Sequence, residues 1–319
     1  MPPLLYDLRG KRVFVAGHGG MAGAAIMRRL RSEDCELLTV TRGELDLTQQ
    51  APTEEWFLTK RPDAVFLAAG RVGGIHANAS YPADFIVDNT AIALNVMRAA
   101  VKVKVSKLLY LGSSCIYPRS ARQPITEDQL LAGSLEPTNE WYAVAKIAGI
   151  RMAQAWRRQH NADFISVIPT NLYGAGDNYH PENSHVTAAL IRRFHEAKVH
   201  GAPEVVVWGS GAPLREFLAA DDLGDACAFV MKHYSDETPI NIGSGEELSI
   251  AQLASLVRDV VGYGGRIVFD RNRPDGVPRK RVDSSRLSAL GWHPRIALAD
   301  GLRTAYADFT AQSGALRQR

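Results

Sequence analysis

The stretch RVFVAGHGGMAG, residues 12–23, joins an apolar run to a turn with glycines at three-residue intervals. An uninterrupted apolar run is typical of a strand buried on both faces, and a helical pattern, MAGAAIMRRLRSE (21–33), begins within the turn. Glycines allow a tight turn and let backbone N–H groups approach a pyrophosphate at the N-terminus of the helix. The stretch therefore predicts a strand–turn–helix unit that binds a dinucleotide. The residues of this predicted site are Gly17, Gly20, Met21 and Gly23.

The same alternation of apolar runs and helical patterns continues through the first half of the chain. Further strands are predicted at 36–42, 64–70, 107–113 and 163–169, and helices at 52–61, about 82–103 and about 139–160. Apolar strands that alternate with helices form parallel sheets covered on both faces. The predicted fold is therefore α/β, with a doubly wound Rossmann parallel sheet.

After about residue 174 the alternation becomes irregular. A helix near 186–198, a strand at 204–209, a helix at 249–263 and a strand at 266–270 are separated by longer loops. These elements predict a smaller, interwoven C-terminal α/β substrate-binding domain. We expect the dinucleotide-binding Rossmann domain to span 1–173 and to be rejoined by about 216–243, while 174–215 and 244–319 form the substrate-binding domain.

The composition is that of an ordinary globular protein: 319 residues, 46% hydrophobic, 22% charged, with a net charge of +3. This charge is too small to indicate a nucleic-acid partner, but it suits a site for phosphates. The longest stretch without charged side chains, 13–27, is shorter than the roughly 18 residues of a membrane span, and residues 1–12 lack a signal-peptide core. Cys35, Cys115 and Cys227 have neither paired nor metal-like spacing, so we expect a reduced, cytoplasmic protein without a metal.

The stretch TVTRGEL (39–45), at the end of the second predicted strand, bears on the choice of dinucleotide. A carboxylate there hydrogen-bonds the ribose 2′-hydroxyl of NAD, whereas an arginine accommodates the 2′-phosphate of NADP. Here the strand ends without an acid and Arg42 is in place. NADP(H) is therefore the predicted cofactor, the alternative being that Arg42 is a solvated surface arginine.

A serine pair and a tyrosine–lysine pair form the next signal. The fourth predicted strand ends in GSSCIYP (112–118), and NEWYAVAKIAG (139–149) places Tyr142 and Lys146 four residues apart. On a helix this spacing puts both side chains on one face. A neighbouring ammonium group favours the phenolate form of tyrosine and so suits it for proton transfer. Such a pair is common by chance, and it gains weight here from the strand-end Ser113 and the glycine turn upstream.

Together these motifs resemble the extended short-chain dehydrogenase/reductase superfamily, with Ser113, Tyr142 and Lys146 in the catalytic positions. Longer strings between about residues 12 and 300 resemble the GDP-L-fucose synthases, which are 3,5-epimerases and 4-reductases of GDP-4-keto-6-deoxy-D-mannose. These strings include RVGGIHAN (71–78), LGSSCIYP (111–118), LEPTNEWYAVAKIAGI (135–150), PTNLYG (169–174), NSHV (183–186) and PDGVPRK (274–280).

The resemblance implies a substrate with a ketone at C4 of the sugar, which acidifies the protons on C3 and C5. Inverting each carbon requires a base on one face and an acid on the other, and a cysteine and a histidine can exchange these roles. Cys115 and His185 match the family's positions, the alternatives being a buried core cysteine and a loop histidine. NADPH then reduces C4, with Tyr142 donating the proton and Ser113 hydrogen-bonding the C4 oxygen.

The resemblance also implies the remaining site residues. For the cofactor they are Arg42, Asp46, Leu47, Leu111, Gly112, Ser113, Ser114, Lys146, Pro169, Asn171, Leu172 and His185, in addition to the glycine turn. For the GDP-sugar they are Arg193, Trp208, Arg215, Asp275 and Lys280, the last near the diphosphate. Arg193 has the alternative of lying on a solvated helix face. A homodimer is implied through the helix at about 82–103 and the helix that carries Tyr142.

Two positions depart from the family pattern. Gly19 stands where family members carry an arginine, which leaves Arg42 as the main candidate for the 2′-phosphate and leaves open a shift towards NADH. Trp141 places a bulky ring next to Tyr142.

Other functions on the same fold stay open at this point. One is a 4,6-dehydratase or 4-epimerase of the same superfamily, and another is a non-catalytic NADP-sensing protein. A dehydratase is expected to have an acid pair where this chain has SSCIYP (113–118), and a 4-epimerase needs neither Cys115 nor His185.

Overall fold

A computed structural model describes residues 2–273 and 275–316. The strands are β1 (Arg12–Ala16), β2 (Glu36–Leu38), β3 (Ala64–Leu67), β4 (Lys107–Leu111), β5 (Phe164–Pro169), β6 (Asn171–Tyr173), β7 (Glu204–Trp208), β8 (Leu214–Ala219), β9 (Ile240–Ile242), β10 (Glu247–Ser249), β11 (Arg266–Asp270) and β12 (Arg279–Lys280). The helices are α1 (Met21–Leu30), α2 (Gln50–Lys60), α3 (Ile75–Ser80), α4 (Pro82–Lys102), α5 (Glu140–His160), α6 (Val186–His200), α7 (Ala220–His233), α8 (Ile250–Val261), α9 (Ser285–Ala289) and α10 (Leu298–Leu316).

The main sheet has six strands within the described residues, in the order β2-β1-β3-β4-β5-β9. Every neighbouring pair in it is parallel. The chain moves from β1 outward to β2 and then returns to place β3 on the other side of β1. In open α/β sheets, ligands bind beyond the carboxyl ends of the strands where the order reverses in this way. The predicted doubly wound fold is confirmed, and β1 and β3 flank the reversal.

Helices cover both faces of this sheet because side chains along each strand alternate between the faces. Val13 and Val15 of β1 belong to a core with residues of α1 and α7. Phe14, between them, packs on the opposite face, where its ring lies 4.3 Å from that of Trp56 and 5.7 Å from that of Phe57 in α2. Residues of α4 and α5 complete this second core.

The second unit is built around β8. This strand pairs antiparallel with β10 and parallel with β12 and β6, while β7 and β11 form a separate parallel pair. Residues of α6, α8 and α10 form the core of this unit. Between β8 and β10 the chain returns to the first unit, since α7 packs against α1 and β9 extends the main sheet beside β5.

The domain boundaries predicted from the sequence stay a prediction. β6 and the end of β8 lie in segments expected to belong to the nucleotide-binding domain, yet these two strands pair with each other in the second sheet. No helix in the described part of the chain has the length and apolar character needed to cross a membrane.

Candidate active site

A cavity of about 780 Å³ lies between the carboxyl edge of the main sheet and the second unit. Its lining brings together every site residue predicted from the sequence. These are Gly17, Gly20, Met21, Gly23, Arg42, Asp46, Leu47, Leu111, Gly112, Ser113, Ser114, Cys115, Tyr142, Lys146, Pro169, Asn171, Leu172, His185, Arg193, Trp208, Arg215, Asp275 and Lys280.

The glycine turn forms one end of the cavity. Gly17 has a φ of +86°, and a Cβ there would lie 2.6 Å from the backbone nitrogen of Ala69 on the neighbouring β3 segment. Gly20 is the N-cap residue of α1, and neither a capping side chain nor an acid occupies the first turn. The first N–H groups of α1 are therefore free to meet an anion, and the helix dipole favours negative charge at this point.

Arg42 lies at the rim of the same end. Its side chain is 72% exposed, and its guanidinium lies 3.6 Å from the Asp46 carboxylate. Asp46 is itself held by Thr48, whose backbone N–H and hydroxyl donate to it at 3.0 and 2.8 Å. Exposed ion pairs of this kind contribute little energy, so Arg42 can turn towards a phosphate at small cost.

The hydroxyl groups of Ser113, just after the end of β4, and of Tyr142, in the first turn of α5, lie close together. Ser113 caps a short 3-10 turn (Ser114–Ile116) by accepting from the Cys115 N–H at 3.3 Å. Burial raises the pKa of the Tyr142 phenol above its usual value, the nearby Cys115 raises it further, and a hydrogen bond with Ser113 acts in the opposite direction. The phenol is thus neutral near pH 7 and able to donate a proton.

Lys146 lies one turn along α5 from Tyr142 and is buried. Its ammonium group donates to the Leu111 carbonyl at 2.9 Å and lies 5.8 Å from the centre of the Tyr142 ring. Burial lowers the pKa of Lys146 to about 8. The sequence predicted that Lys146 lowers the tyrosine pKa, whereas here that pKa is raised, because desolvation of the phenol outweighs its favourable contacts.

Cys115 faces a cluster of cations. The Lys280 ammonium donates to its sulfur at 3.2 Å. Desolvation alone raises the pKa of the Cys115 thiol. The pKa nevertheless lies below its usual value, because the Lys280 and Arg215 charges and hydrogen bonds from Ser113 and Lys280 favour the thiolate. The placement of Lys280 near a diphosphate, expected from the sequence, stays a prediction; in the structure its ammonium group contacts the Cys115 sulfur.

His185 lies at the N-cap of α6 and lines the same cavity. The residue keeps an exposed surface, but desolvation of the ring within the cavity lowers the pKa of its imidazole, and the Lys280 charge lowers it further. The imidazole is therefore neutral near pH 7 and able to accept a proton. Lys280 thus acts on both side chains that the sequence singled out for proton exchange.

Another part of the cavity lining carries the Trp208 ring, which two arginines contact. The guanidinium groups of Arg193 and Arg273 lie 4.9 and 4.8 Å from the centre of the Trp208 ring. Nearby, Asp275 accepts from the backbone N–H and the hydroxyl of Ser210 at 2.7 and 2.8 Å. A cationic and aromatic surface of this kind suits a phosphorylated ligand with a planar base.

Some notable residues at the site were not assigned from the sequence. Arg71 lies in the lining and is held by Asp84 and Asp88 at 2.9 and 3.3 Å. Asp177 also lines the cavity, and burial raises the pKa of its carboxyl to about 7. Arg71 could have been found from the sequence, because it begins RVGGIHAN (71–78), one of the stretches that resemble the family. No local sequence pattern indicates a functional role for Asp177 or Arg273.

Metal ligation has no support among the residues that the structure describes. They contain no group of three or more histidine, cysteine, aspartate or glutamate side chains placed to hold an ion.

Comparisons with known proteins agree on the family. The model of the NAD dependent epimerase/dehydratase family matches residues 13–243. GDP-L-fucose synthase 1 of Arabidopsis thaliana is 58% identical over 299 residues, covering 93% of each chain. GDP-L-fucose synthase of Escherichia coli K12 is 51% identical, covering 93% of this chain and 95% of the relative.

Solved structures give the same picture. A GDP-6-OMe-4-keto-L-xylo-heptose reductase from C. jejuni is 33% identical with a TM-score of 0.89, covering 95% of this chain and 98% of that one. A GDP-L-fucose synthetase from Naegleria fowleri, bound to NADP, is 26% identical with a TM-score of 0.88, covering 98% and 97%. The chain described here belongs to the NAD dependent epimerase/dehydratase family and, within it, to the GDP-L-fucose synthases.

Proposed function

We propose that this protein converts GDP-4-keto-6-deoxy-D-mannose to GDP-L-fucose by inverting C3 and C5 and then reducing C4 with NADPH. The observation that carries the proposal is the meeting of Ser113, Cys115 and Tyr142 at one point of a cavity. A ketone oxygen placed by the two hydroxyls brings the neighbouring carbons towards the thiol. The relatives named GDP-L-fucose synthase support this choice of substrate.

The glycine turn fits the pyrophosphate of a dinucleotide. A Cβ on Gly23 would overlap the backbone carbonyl of Gly17, so the turn depends on glycine to bring α1 close to β1. Arg42 and the lack of an acid at the end of β2 fit the 2′-phosphate of NADP. When bound, NADPH supplies the hydride that reduces the C4 carbonyl.

Tyr142 serves the reduction by giving its proton to the C4 oxygen. Ser113 orients that oxygen through its own hydroxyl, and Ser114 lies beside it. Lys146 is held by the Leu111 carbonyl and presents its ammonium group to the cofactor ribose. With a pKa of about 8, Lys146 is mainly charged at pH 7, and that charge stabilises the phenolate that forms as the proton leaves.

Cys115 and His185 serve the two inversions. Removing a proton next to the ketone leaves an electron pair that delocalises into the carbonyl as an enolate, and a proton returns on the other face. The thiolate, which the lowered pKa favours, and the neutral imidazole can each take up such a proton, and the thiol and imidazolium that result can each return one. Both side chains line the cavity that holds Tyr142.

The GDP moiety occupies the end of the cavity near Trp208. Arg193 and Arg215 supply positive charge for the diphosphate, and Trp208 offers a ring face. The Asp275 carboxylate, held in place by Ser210, can accept a hydrogen bond from the GDP moiety at this end of the site.

Assembly as a homodimer is part of the proposal. The helices α4 and α5 pack together, and their outer surface exposes Val87, Trp141 and Val144 by 61%, 47% and 38%. Apolar side chains grouped on one surface are typical of an interface between subunits. Trp141, which departs from the family pattern, lies on this surface. A cytoplasmic location is also proposed, since Cys35, Cys115 and Cys227 are free thiols.

The proposal is tested by incubating purified protein with GDP-4-keto-6-deoxy-D-mannose and NADPH or NADH, and by identifying the product by NMR. We expect GDP-L-fucose, formed with oxidation of one equivalent of reduced cofactor. A reduced product that keeps the D-manno configuration at C3 and C5 would contradict the epimerase role. An absence of cofactor oxidation would instead favour a non-catalytic NADP-sensing protein.

A further inference from the structure

Lys280 contacts Cys115 across a long sequence separation. Its ammonium group donates to the Cys115 sulfur at 3.2 Å, although the two residues are 165 positions apart. The fold fixes this lysine, because Lys280 of β12 pairs with Arg215 of β8. Two residues later, the Val282 N–H donates at 3.0 Å to the carboxylate of the buried Glu216. The contact is therefore built into the second sheet.

The charged and titratable groups around the sulfur come from several elements. Lys280 approaches from β12 and Arg215 from β8, while Ser113 precedes the sulfur on its own loop and Tyr142 faces it from α5. His185, at the start of α6, faces Lys280. Both cations of this group favour the thiolate, whereas the partial desolvation of the sulfur opposes it.

We infer that Lys280 is a positioning residue that acts through Cys115: its ammonium group stabilises the thiolate and thereby supports proton exchange next to the ketone. The inference deepens the proposed function and rests on it for the identity of the exchanging carbons. When the thiolate takes a proton, a C–H bond breaks, an S–H bond forms and the electron pair enters the carbonyl. When the thiol returns a proton, the negative charge reappears on sulfur. Whether Cys115 takes up or returns the proton, its thiolate form lies against the Lys280 ammonium group.

The competing role for Lys280 is a contact with the substrate diphosphate, as its place in the string 274–280 implied. The two roles differ in what they require. Stabilising the thiolate is a property of the protein before any GDP-sugar binds, whereas holding a diphosphate is measured only when GDP is present.

The test is the rate at which iodoacetamide alkylates Cys115, measured from pH 5 to 10 on the full chain with NADP⁺ and without GDP-sugar. Mass spectrometry of the peptides resolves Cys115 from Cys35. Iodoacetamide is uncharged, so removing a lysine does not alter its attraction to the site. Because only the thiolate reacts, the rate reports the ionised fraction of the sulfur.

Wild type is compared with Lys280→Met, which keeps the apolar stem, and with Lys280→Arg, which keeps the charge. The matched control is Lys102→Met, which removes an exposed lysine whose partner is Glu54. An opposite charge at this range changes an ionisation constant by about tenfold or more. We therefore expect Lys280→Met to lower the alkylation rate at pH 7 by about tenfold or more and to move the midpoint to higher pH. Lys280→Arg and Lys102→Met should stay within about twofold of wild type.

Binding of GDP, measured by calorimetry on the same proteins, separates the competing role. We expect the affinity of Lys280→Met for GDP to stay within about threefold of wild type, because the Lys280 ammonium group is hydrogen-bonded to the Cys115 sulfur rather than to a phosphate. An unchanged alkylation profile in Lys280→Met would overturn the inference, and a large loss of GDP affinity with it would assign Lys280 to the diphosphate. The alkylation rate of Cys35 reports whether each variant is folded, and Lys280→Gln replaces Lys280→Met if it is not. Neither measurement needs turnover, so failure here is distinct from failure of the proposed reaction.

Discussion

Replacing Cys115 by serine should separate epimerisation from cofactor binding. The side chain is held in place by the 3-10 turn that Ser113 caps and faces the Lys280 ammonium group at 3.2 Å. Serine fits the same space, but its hydroxyl does not ionise near neutral pH. General acid–base catalysis by one positioned side chain contributes about 100- to 10,000-fold. We expect a loss of this size in inversion at C3 and C5, equivalent to about 3–5 kcal/mol in the barrier.

The assay follows deuterium entering the substrate from D₂O by NMR, and NADP⁺ affinity is measured on the same protein. Affinity should change by less than about twofold, because a sulfur-to-oxygen exchange next to the sugar leaves the glycine turn intact. Cys35→Ser is the matched control, since Cys35 is also a partly exposed free thiol but does not line the cavity. Deuterium exchange at an undiminished rate in Cys115→Ser would refute the role of the thiol.

Three further predictions concern the cofactor, the pH profile and stability. A Cβ on Gly19 meets no atom within 4 Å, so the Gly19→Arg variant should fold normally. Because the arginine adds a cation to the glycine turn, we expect the ratio of kcat/KM for NADPH over NADH to rise by about tenfold. An unchanged ratio would leave the selectivity for NADPH to Arg42 alone. Because the pKa of Cys115 is lowered, deuterium exchange by wild type should fall on the acid side at a midpoint below the ordinary thiol pKa of about 8.5. A midpoint above that value would contradict the effect of Lys280 and Arg215 on the sulfur. Burial raises the pKa of Asp177 to about 7, so the folded state binds more protons than the unfolded state between about pH 4 and 7 and loses stability as pH rises. The Tm of Asp177→Asn relative to wild type should therefore be higher at pH 8 than at pH 4.5, and a difference independent of pH would show that Asp177 is well solvated.

Local patterns were enough to predict much of the fold, the glycine turn and the pairing of Tyr142 with Lys146 on one helix face, whereas most other site residues came from the resemblance to the family. The apolar run of β1, the glycines that follow it and the spacing of Tyr142 and Lys146 are short-range features whose geometry is set within one or two turns. The strong periodicity of α4 and α5 also allowed their existence to be predicted, with boundaries within a few residues. In each case the residues that form the sequence pattern are neighbours in the chain and also contact each other in the structure.

Other features depend on contacts between distant segments and left no local signal. The helix α7 contains Gly224, a residue that weakens a helical pattern. The structure explains this glycine, because a Cβ there would lie 2.6 Å from the Ala25 carbonyl oxygen of α1. The contact between Lys280 and Cys115 and the guanidinium groups around Trp208 likewise arise from how the second unit closes over the main sheet.

The tyrosine pKa shows a further limit of reasoning from the sequence. A lysine four residues away suggested that the phenol would be acidified, and the spacing was correct. Whether the phenol is acidified depends on burial, which sequence spacing does not report. In the structure, desolvation dominates and the pKa of Tyr142 is raised. The raised pKa keeps the phenol protonated at neutral pH, and the nearby Lys146 ammonium group can stabilise the phenolate as the proton leaves.

The most direct test of two separable chemistries in one cavity is the Tyr142→Phe variant, incubated in D₂O with GDP-4-keto-6-deoxy-D-mannose and NADPH. Phenylalanine keeps the ring that packs edge-on against Phe85 and removes only the hydroxyl. We predict that deuterium still enters at both C3 and C5 while NADPH oxidation falls by about 100-fold or more. NADPH oxidation at the wild-type rate, or loss of deuterium exchange together with reduction, would contradict the assignment of the phenol to C4 and of the thiol and imidazole to the carbons beside it.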